Sequence, residues 1–263
     1  MKLTRPTVIL LGETRLHPKG VRELMSALGV SEGGAKKFTE APPGAETLIE
    51  LAGRLCYESF EVGLNPNVTK IRGSNKEYLE NILAKGDGSI LEQAVTSWAL
   101  LNISRITSHE LVRHRVGVAI SQESLRYVRL KEIKMWFPED LTEAQKEAMI
   151  LAAKDSEEAY VRLANSIPWD KMNMDAKKRM TSTLRRILTD GLATNMIWSA
   201  NHRTLRWVIE MRTDPAAEVE IRMVFDQVAQ VCLEQWPNLY QDFSRTPLPD
   251  GTGSWKPSLR SKV

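Results

Sequence analysis

Residues 104–129, SRITSHELVRHRVGVAISQESLRYVR, bring five arginines (Arg105, Arg113, Arg115, Arg126 and Arg129) and two of the chain's four histidines into one stretch. Like charges repel, so a fold that gathers them must supply anionic partners or leave them in water. Ile103, Ile106, Leu111 and Val112 give the first half a helical rhythm. Arg113-His114-Arg115 then falls at or just past the end of that helix, and a loop, Val116-Gly117-Val118-Ala119, follows. Ser121, Ser124 and Arg126 come next with hydroxyl and guanidinium donors. Guanidinium forks match phosphate oxygens in pairs, and hydroxyls fill the remaining acceptors. The stretch therefore reads as a phosphate-binding segment or as a solvated basic face, the commoner state of a charge run.

The rest of the chain is that of a globular protein. Its 263 residues suffice for a sizeable core, and 42% hydrophobic with 26% charged is ordinary composition. A net charge of +3 is too small to imply nucleic-acid binding by itself. Cys56 and Cys232 fit neither a metal-ligand spacing nor a disulfide framework. With no signal peptide and no apolar run of membrane-spanning length, the expected location is cytoplasmic, with reduced thiols and no membrane partner.

Residues 7–12, 94–103 and 192–200 read as strands. Helices are expected over 20–30, ended by Gly29, and over 46–60. The Gly- and Pro-rich stretch 31–46 and residues 64–74 read as loops. Ser74 with Glu77, and Thr142 with Gln145, are capping boxes. They open helices that run to Lys85, stopped at Gly86, and to Ser166, the second burying Ala148, Leu151, Ala152, Ala159 and Leu163. Further helices cover 174–188, 202–212 and 217–236, and a polar tail from about 249 reads as peripheral. Strands and long helices without βαβ alternation make the fold class α+β.

His109, Glu110 and His114 do not make a zinc motif. Ligands four apart stack on one helix face, whereas His109 and His114 are five apart, roughly 140° around the helix. No metal is expected. Ser124 has no base assigned to it, so hydrogen bonding to a phosphate or base suits it better than nucleophilic attack.

The wording of RHR (113–115) followed by SQESLRYV (121–128) resembles the signature of the flavin-dependent thymidylate synthases. The likeness runs from about Leu48 to Trp236 and includes GSILEQA (88–94), ANHRTLRWVIEMR (200–212) and EVEIR (218–222). It implies a single catalytic domain over 1–263, a mixed sheet flanked by long helices, and a homotetramer with sites between subunits. It implies transfer of a one-carbon unit from methylenetetrahydrofolate to C5 of a pyrimidine deoxynucleoside monophosphate, by default dUMP to dTMP, with FAD reduced by NADPH. By the same resemblance Arg113, His114, Arg115, Asn201 and Arg203 contact the flavin. Ser124 and Arg126 hold the nucleotide phosphate, beside Gln122 and Glu123. Arg185 reaches the nucleotide across a subunit interface, and Arg212 touches the pyrimidine and stabilises charge developing on it.

The chain departs from the family pattern at named places. Nine steps rather than eight separate Arg115 from Ser124. Asp87 and Gln93 stand where histidines are common, Trp207 where a histidine or asparagine is expected, and Ala216 where a polar residue often lies. Glu110 and Glu218 replace glutamines. An ionised carboxylate only accepts hydrogen bonds, so Glu110 directed at the base would favour the amino group of cytosine over the carbonyl of uracil. That makes dCMP, or a hydroxymethyl product, the variant reading; alternatively Glu110 pairs with a nearby arginine. A reading of another class is a non-catalytic nucleotide or nucleic-acid binding module, with steep salt dependence and no flavin colour.

Overall fold

The computed structural model describes residues 1–259. The chain opens with β1 (Lys2–Leu3), β2 (Thr7–Glu13), α1 (Pro18–Ala27), α2 (Glu32–Thr39), α3 (Ala45–Tyr57) and α4 (Asn75–Lys85). A short 3-10 helix (Gly88–Gln93) leads into β3 (Val95–Ser104), α5 (Arg105–Leu111), β4 (Val118–Gln122) and β5 (Lys134–Met135). Then come α6 (Glu143–Asn165), α7 (Met174–Leu184), β6 (Ala193–Asn201), α8 (His202–Arg212), α9 (Val219–Gln235), β7 (Phe243–Pro247) and β8 (Gly253–Pro257).

The central sheet has strand order β2-β3-β6-β4 and is antiparallel throughout; the parallel pairing is that of β1 with β5. Alternation along the strands sorts the side chains onto two faces. Trp98 and Trp198 oppose one another across β3 and β6, both fully buried, and with Leu100, Met196 and Ala200 they meet Leu205, Val208 and Ile209 of α8 and Val224, Phe225 and Val228 of α9. The other face is largely bare: Ile9, Leu11, Val95 and Ile197 are exposed.

The α+β class and most elements match the sequence expectation, and four departures have physical causes. Residues 32–39 form α2 rather than loop. Its two glycines argue against a helix, but Ser31 caps it through Gly34 N–H, and Phe38 packs edge-on against Phe60 at 5.6 Å. A Cβ on Gly34 would lie 2.6 Å from the Glu61 carboxylate that accepts from Ser31 N–H, so the glycine is a packing requirement. Val118–Gln122, expected partly as loop, is the edge strand β4, paired from Val118↔Ala200 to Gln122↔Met196.

Helix α6 keeps its expected span and capping box but buries a different face. Ala153 and Tyr160 are buried, with Ile150 beside them, while Ala148, Leu151, Ala152 and Leu163 are exposed and Ala159 is half-buried. Polar anchors fix that rotation: Glu157 accepts from Ile133 N–H at 2.7 Å and Tyr160 Oη from Leu130 N–H at 3.1 Å. The tail is not peripheral through residue 259. Trp255 of β8 is buried, its indole donating to Asp226 at 2.7 Å and its amide to Thr213 at 2.9 Å. The last four positions of that tail lie outside the described residues.

Candidate functional site

The basic stretch is held against the sheet by local hydrogen bonds. Ser104 caps α5, accepting from Thr107 N–H at 3.1 Å, while the buried Glu220 carboxylate accepts from Ser104 N–H at 2.6 Å. The helix is shorter than its apolar rhythm suggested. Ile103 belongs to β3, and Ile106 and Val112 are exposed, so Thr107, Ser108 and Leu111 form its inner face. Arg113, His114 and Arg115 occupy the turn beyond it, as expected. Gly117 then adopts φ +70°, and a Cβ there would lie 2.3 Å from Asn201 Nδ2. Only glycine allows this contact, which brings the start of β4 against α8.

Burial separates the three members of the RHR motif. Arg113 and Arg115 are exposed, whereas His114 is 4% exposed and sits edge-on to Trp207 at 5.0 Å. His114 Nε2 accepts from Arg212 Nε at 2.8 Å. An arginine only donates, so the imidazole is neutral with its proton on Nδ1. Burial, and then the charges of Arg212 and Arg113, depress its pKa from 6.5 to about 4. His114 Nδ1 is buried with no protein partner.

Arg212 joins this group from the last turn of α8. Its Nη1 donates to the Glu110 carboxylate at 2.9 Å and its Nη2 to the Glu110 carbonyl at 2.8 Å. Burial foremost, and then Arg113, lower the Arg212 pKa, and Glu110 opposes them. Glu110 thus pairs with an arginine, though with Arg212 rather than the adjacent Arg113. Trp207, Glu210, Met211, Arg212, Asp214, Ala216 and Ala217 line an open cleft of about 410 Å³. Two positions where the chain departs from the family pattern, Trp207 and Ala216, are in its wall. Glu218 lies close enough to Glu110 to feel its charge, and caps α9 by accepting from Glu220 and Ile221 N–H.

The other expected residues divide between the site and its frame. Gln122 donates to Ser108 Oγ at 3.1 Å, tying β4 to α5. Glu123 accepts from Asn195 Nδ2 at 3.0 Å, and its amide donates to the Asn195 carbonyl at 2.9 Å. Ser124 Oγ accepts from Arg126 N–H at 3.3 Å, so its hydroxyl proton points elsewhere, and the Arg126 side chain is exposed. Asn201 is a buried cap for α8, accepting from Thr204 N–H at 2.9 Å, and Arg203 forms a surface ion pair with Glu92 at 2.5 Å. Arg185 stands exposed at the end of α7, with no hydrogen bond to the α5–α8 group among the described residues.

Sequence reasoning missed Asn195. Besides holding Glu123, it accepts from Asn102 N–H at 3.0 Å, where β3 bulges and Asn102 takes φ +56°. A non-glycine residue in that region is uncommon, and asparagine tolerates it best. An Asn–Asn pair on neighbouring strands was the available signal. A second cavity, about 460 Å³ beside Glu46 and Glu50, contains none of the expected site residues.

The donor set suits a flavin dinucleotide. Arg113 and Arg115 have exposed guanidiniums of the kind that would pair with a pyrophosphate, and the Trp207 wall and the unpartnered His114 Nδ1–H would suit a heteroaromatic ring with polar edges.

Exposed cations beside a cleft that holds Arg212 together with Glu210 and Asp214, on an antiparallel α+β scaffold, suit an enzyme with a polar, charged ligand. A family described as thymidylate synthase complementing protein matches residues 37–238. A flavin-dependent thymidylate synthase of Corynebacterium aurimucosum is 32% identical over 258 residues, 95% of this chain and 96% of that one. One from Corynebacterium glutamicum is 35% identical over 219 residues, 80% of this chain and 84% of the other. The solved structure of a UMP/dUMP methylase, PolB from Streptomyces cacaoi, bound with 5-Br UMP, shares the fold at TM-score 0.63 and 14% identity, covering 92% of this chain and 95% of that one. The chain belongs to the flavin-dependent thymidylate synthase family.

Proposed function

We propose that this chain transfers a one-carbon unit from methylenetetrahydrofolate to C5 of dUMP, forming dTMP, with FAD as cofactor and NADPH as reductant. The observation that carries the reading is the meeting of Arg212 with His114 of the RHR turn, where Arg212 Nε donates to His114 Nε2 at 2.8 Å. In this reading Ser124 O–H and Arg126 hold the 5′-phosphate, Glu123 being fixed beside them by Asn195. Arg212 lies along the pyrimidine and stabilises electron density as C5 attacks. Arg113 and Arg115 hold the pyrophosphate of the flavin, and neutral His114 offers Nδ1–H. Bound FAD supplies the hydride that completes the methyl group.

The pairing of Glu110 with Arg212 accounts for its carboxylate without a cytosine amino group, which favours dUMP over dCMP. The exposed side chains Ile9, Leu11 and Ile197 on the outer sheet face support an assembly of several copies, which we take as a homotetramer. Arg185 would then serve a neighbouring subunit. The test is mass spectrometry of products from dUMP and dCMP, each supplied with methylenetetrahydrofolate, NADPH and FAD. The expected result is dTMP from dUMP, and a yellow protein that releases FAD on denaturation. Absence of any methylated or hydroxymethylated nucleotide, together with no flavin retention in excess FAD, overturns the reading.

A further inference from the structure

Glu110 touches Arg212 twice, through side chain and backbone, and the remaining guanidinium nitrogen is taken by His114. Three contacts to a planar group fix both its position and its tilt. The Glu110 carbonyl lies in the last turn of α5, where carbonyls lack helical partners and a cation meets the negative end of the helix. Arg212 therefore also closes α5. The carboxylate adds what a carbonyl cannot, a full opposing charge on a half-buried guanidinium that has Arg113 for a neighbour. A glutamine at 110 keeps an oxygen acceptor but withdraws that charge.

We infer that Glu110 is a positioning residue, fastening Arg212 in the orientation that meets the pyrimidine, and not a reader of the base. The inference rests on the nucleotide reading above for what Arg212 meets, but its central contact is in the protein itself. Since Arg212 Nε donates to His114 Nε2, the same fastening holds the His114 proton on Nδ1.

The experiment compares Glu110→Gln and Glu110→Ala with the parent as FAD-loaded proteins. It measures kcat and KM for dUMP and dCMP, and the 15N shifts of the His114 ring without nucleotide. Glu110→Ala is expected to lower kcat at least tenfold for each nucleotide the parent accepts, with the dUMP-to-dCMP ratio unchanged. His114 should move from one tautomer to a mixture. Glu110→Gln, keeping the acceptor, should recover part of both losses. A variant that retains parental kcat with an unmoved His114 tautomer, or one that switches the preferred base, overturns the inference. If the parent turns over neither nucleotide, the functional reading fails on its own, and the His114 tautomer alone decides: a mixture in Glu110→Ala supports the fastening, an unchanged tautomer overturns it.

Discussion

His114 is buried beside two arginines, and its proton balance follows from that placement. In the unfolded chain it binds a proton near pH 6.5, but in the folded protein only near 4. Between those values the unfolded state carries more protons, so stability rises with pH across the window and is lost as pH falls from 6.5 towards 4. Buried His202, depressed to about 3 by burial and Arg206, extends the loss to lower pH. Urea unfolding at a series of pH values should show this slope, and His114→Gln should flatten its upper part. Nucleotide binding offers a second check at this scale. Arg126→Ala should weaken dUMP binding about tenfold or more, roughly 1.4 kcal/mol or more, because charge-assisted contacts are the stronger kind. Calorimetric titration with dUMP and with deoxyuridine measures it; equal affinity of parent and variant for the monophosphate would remove Arg126 from the phosphate site. The motif made Arg113 to Arg115 and Ser124 to Arg126 legible in the sequence. The Glu110–Arg212 contact was not, because its partners lie 102 positions apart and only the fold brings the ends of α5 and α8 together.

Helix ends were readable because capping is a local interaction. Thr142 and Gln145 exchange both expected hydrogen bonds, and Gly86 ends α4 at φ +82°. Ser74 accepts from Glu77 N–H as expected, though the Glu77 carboxylate turns to Gly73 N–H. Thr142→Ala should cost about 1 kcal/mol, read as a lowered urea midpoint with unchanged slope. The inward face of α6 was not readable from apolar spacing, since its anchors are Glu157 and Tyr160, which bind backbone groups of a distant loop. Strand β4 was hidden for a related reason. Its length and polar end are those of a loop until β6 supplies the ladder.

At the scale of the molecule, the sheet is covered by α8 and α9 on the face that carries Trp98 and Trp198, and leaves Ile9, Leu11 and Ile197 exposed on the other. Sedimentation should give the mass of a tetramer, and Ile197→Glu should shift it to smaller species by placing a charge on the bare face. An unchanged mass in the variant would move the interface elsewhere. The α+β class was legible from strand and helix patterns; the bare face was not, because Ile9 and Leu11 belong to an apolar run that reads equally well as a strand covered on both sides.

The hairpin of β7 and β8 carries a consequence in time. Trp255 fills its place against Thr213 and Asp226 from beyond every strand of the central sheet in chain order. A ribosome that has finished the central sheet and α9 has still not delivered this indole. Until it does, Asp226 lacks the indole donor that covers it in the finished fold. The nascent chain can pair its central strands early, but it closes its core only once the β7–β8 hairpin has followed them.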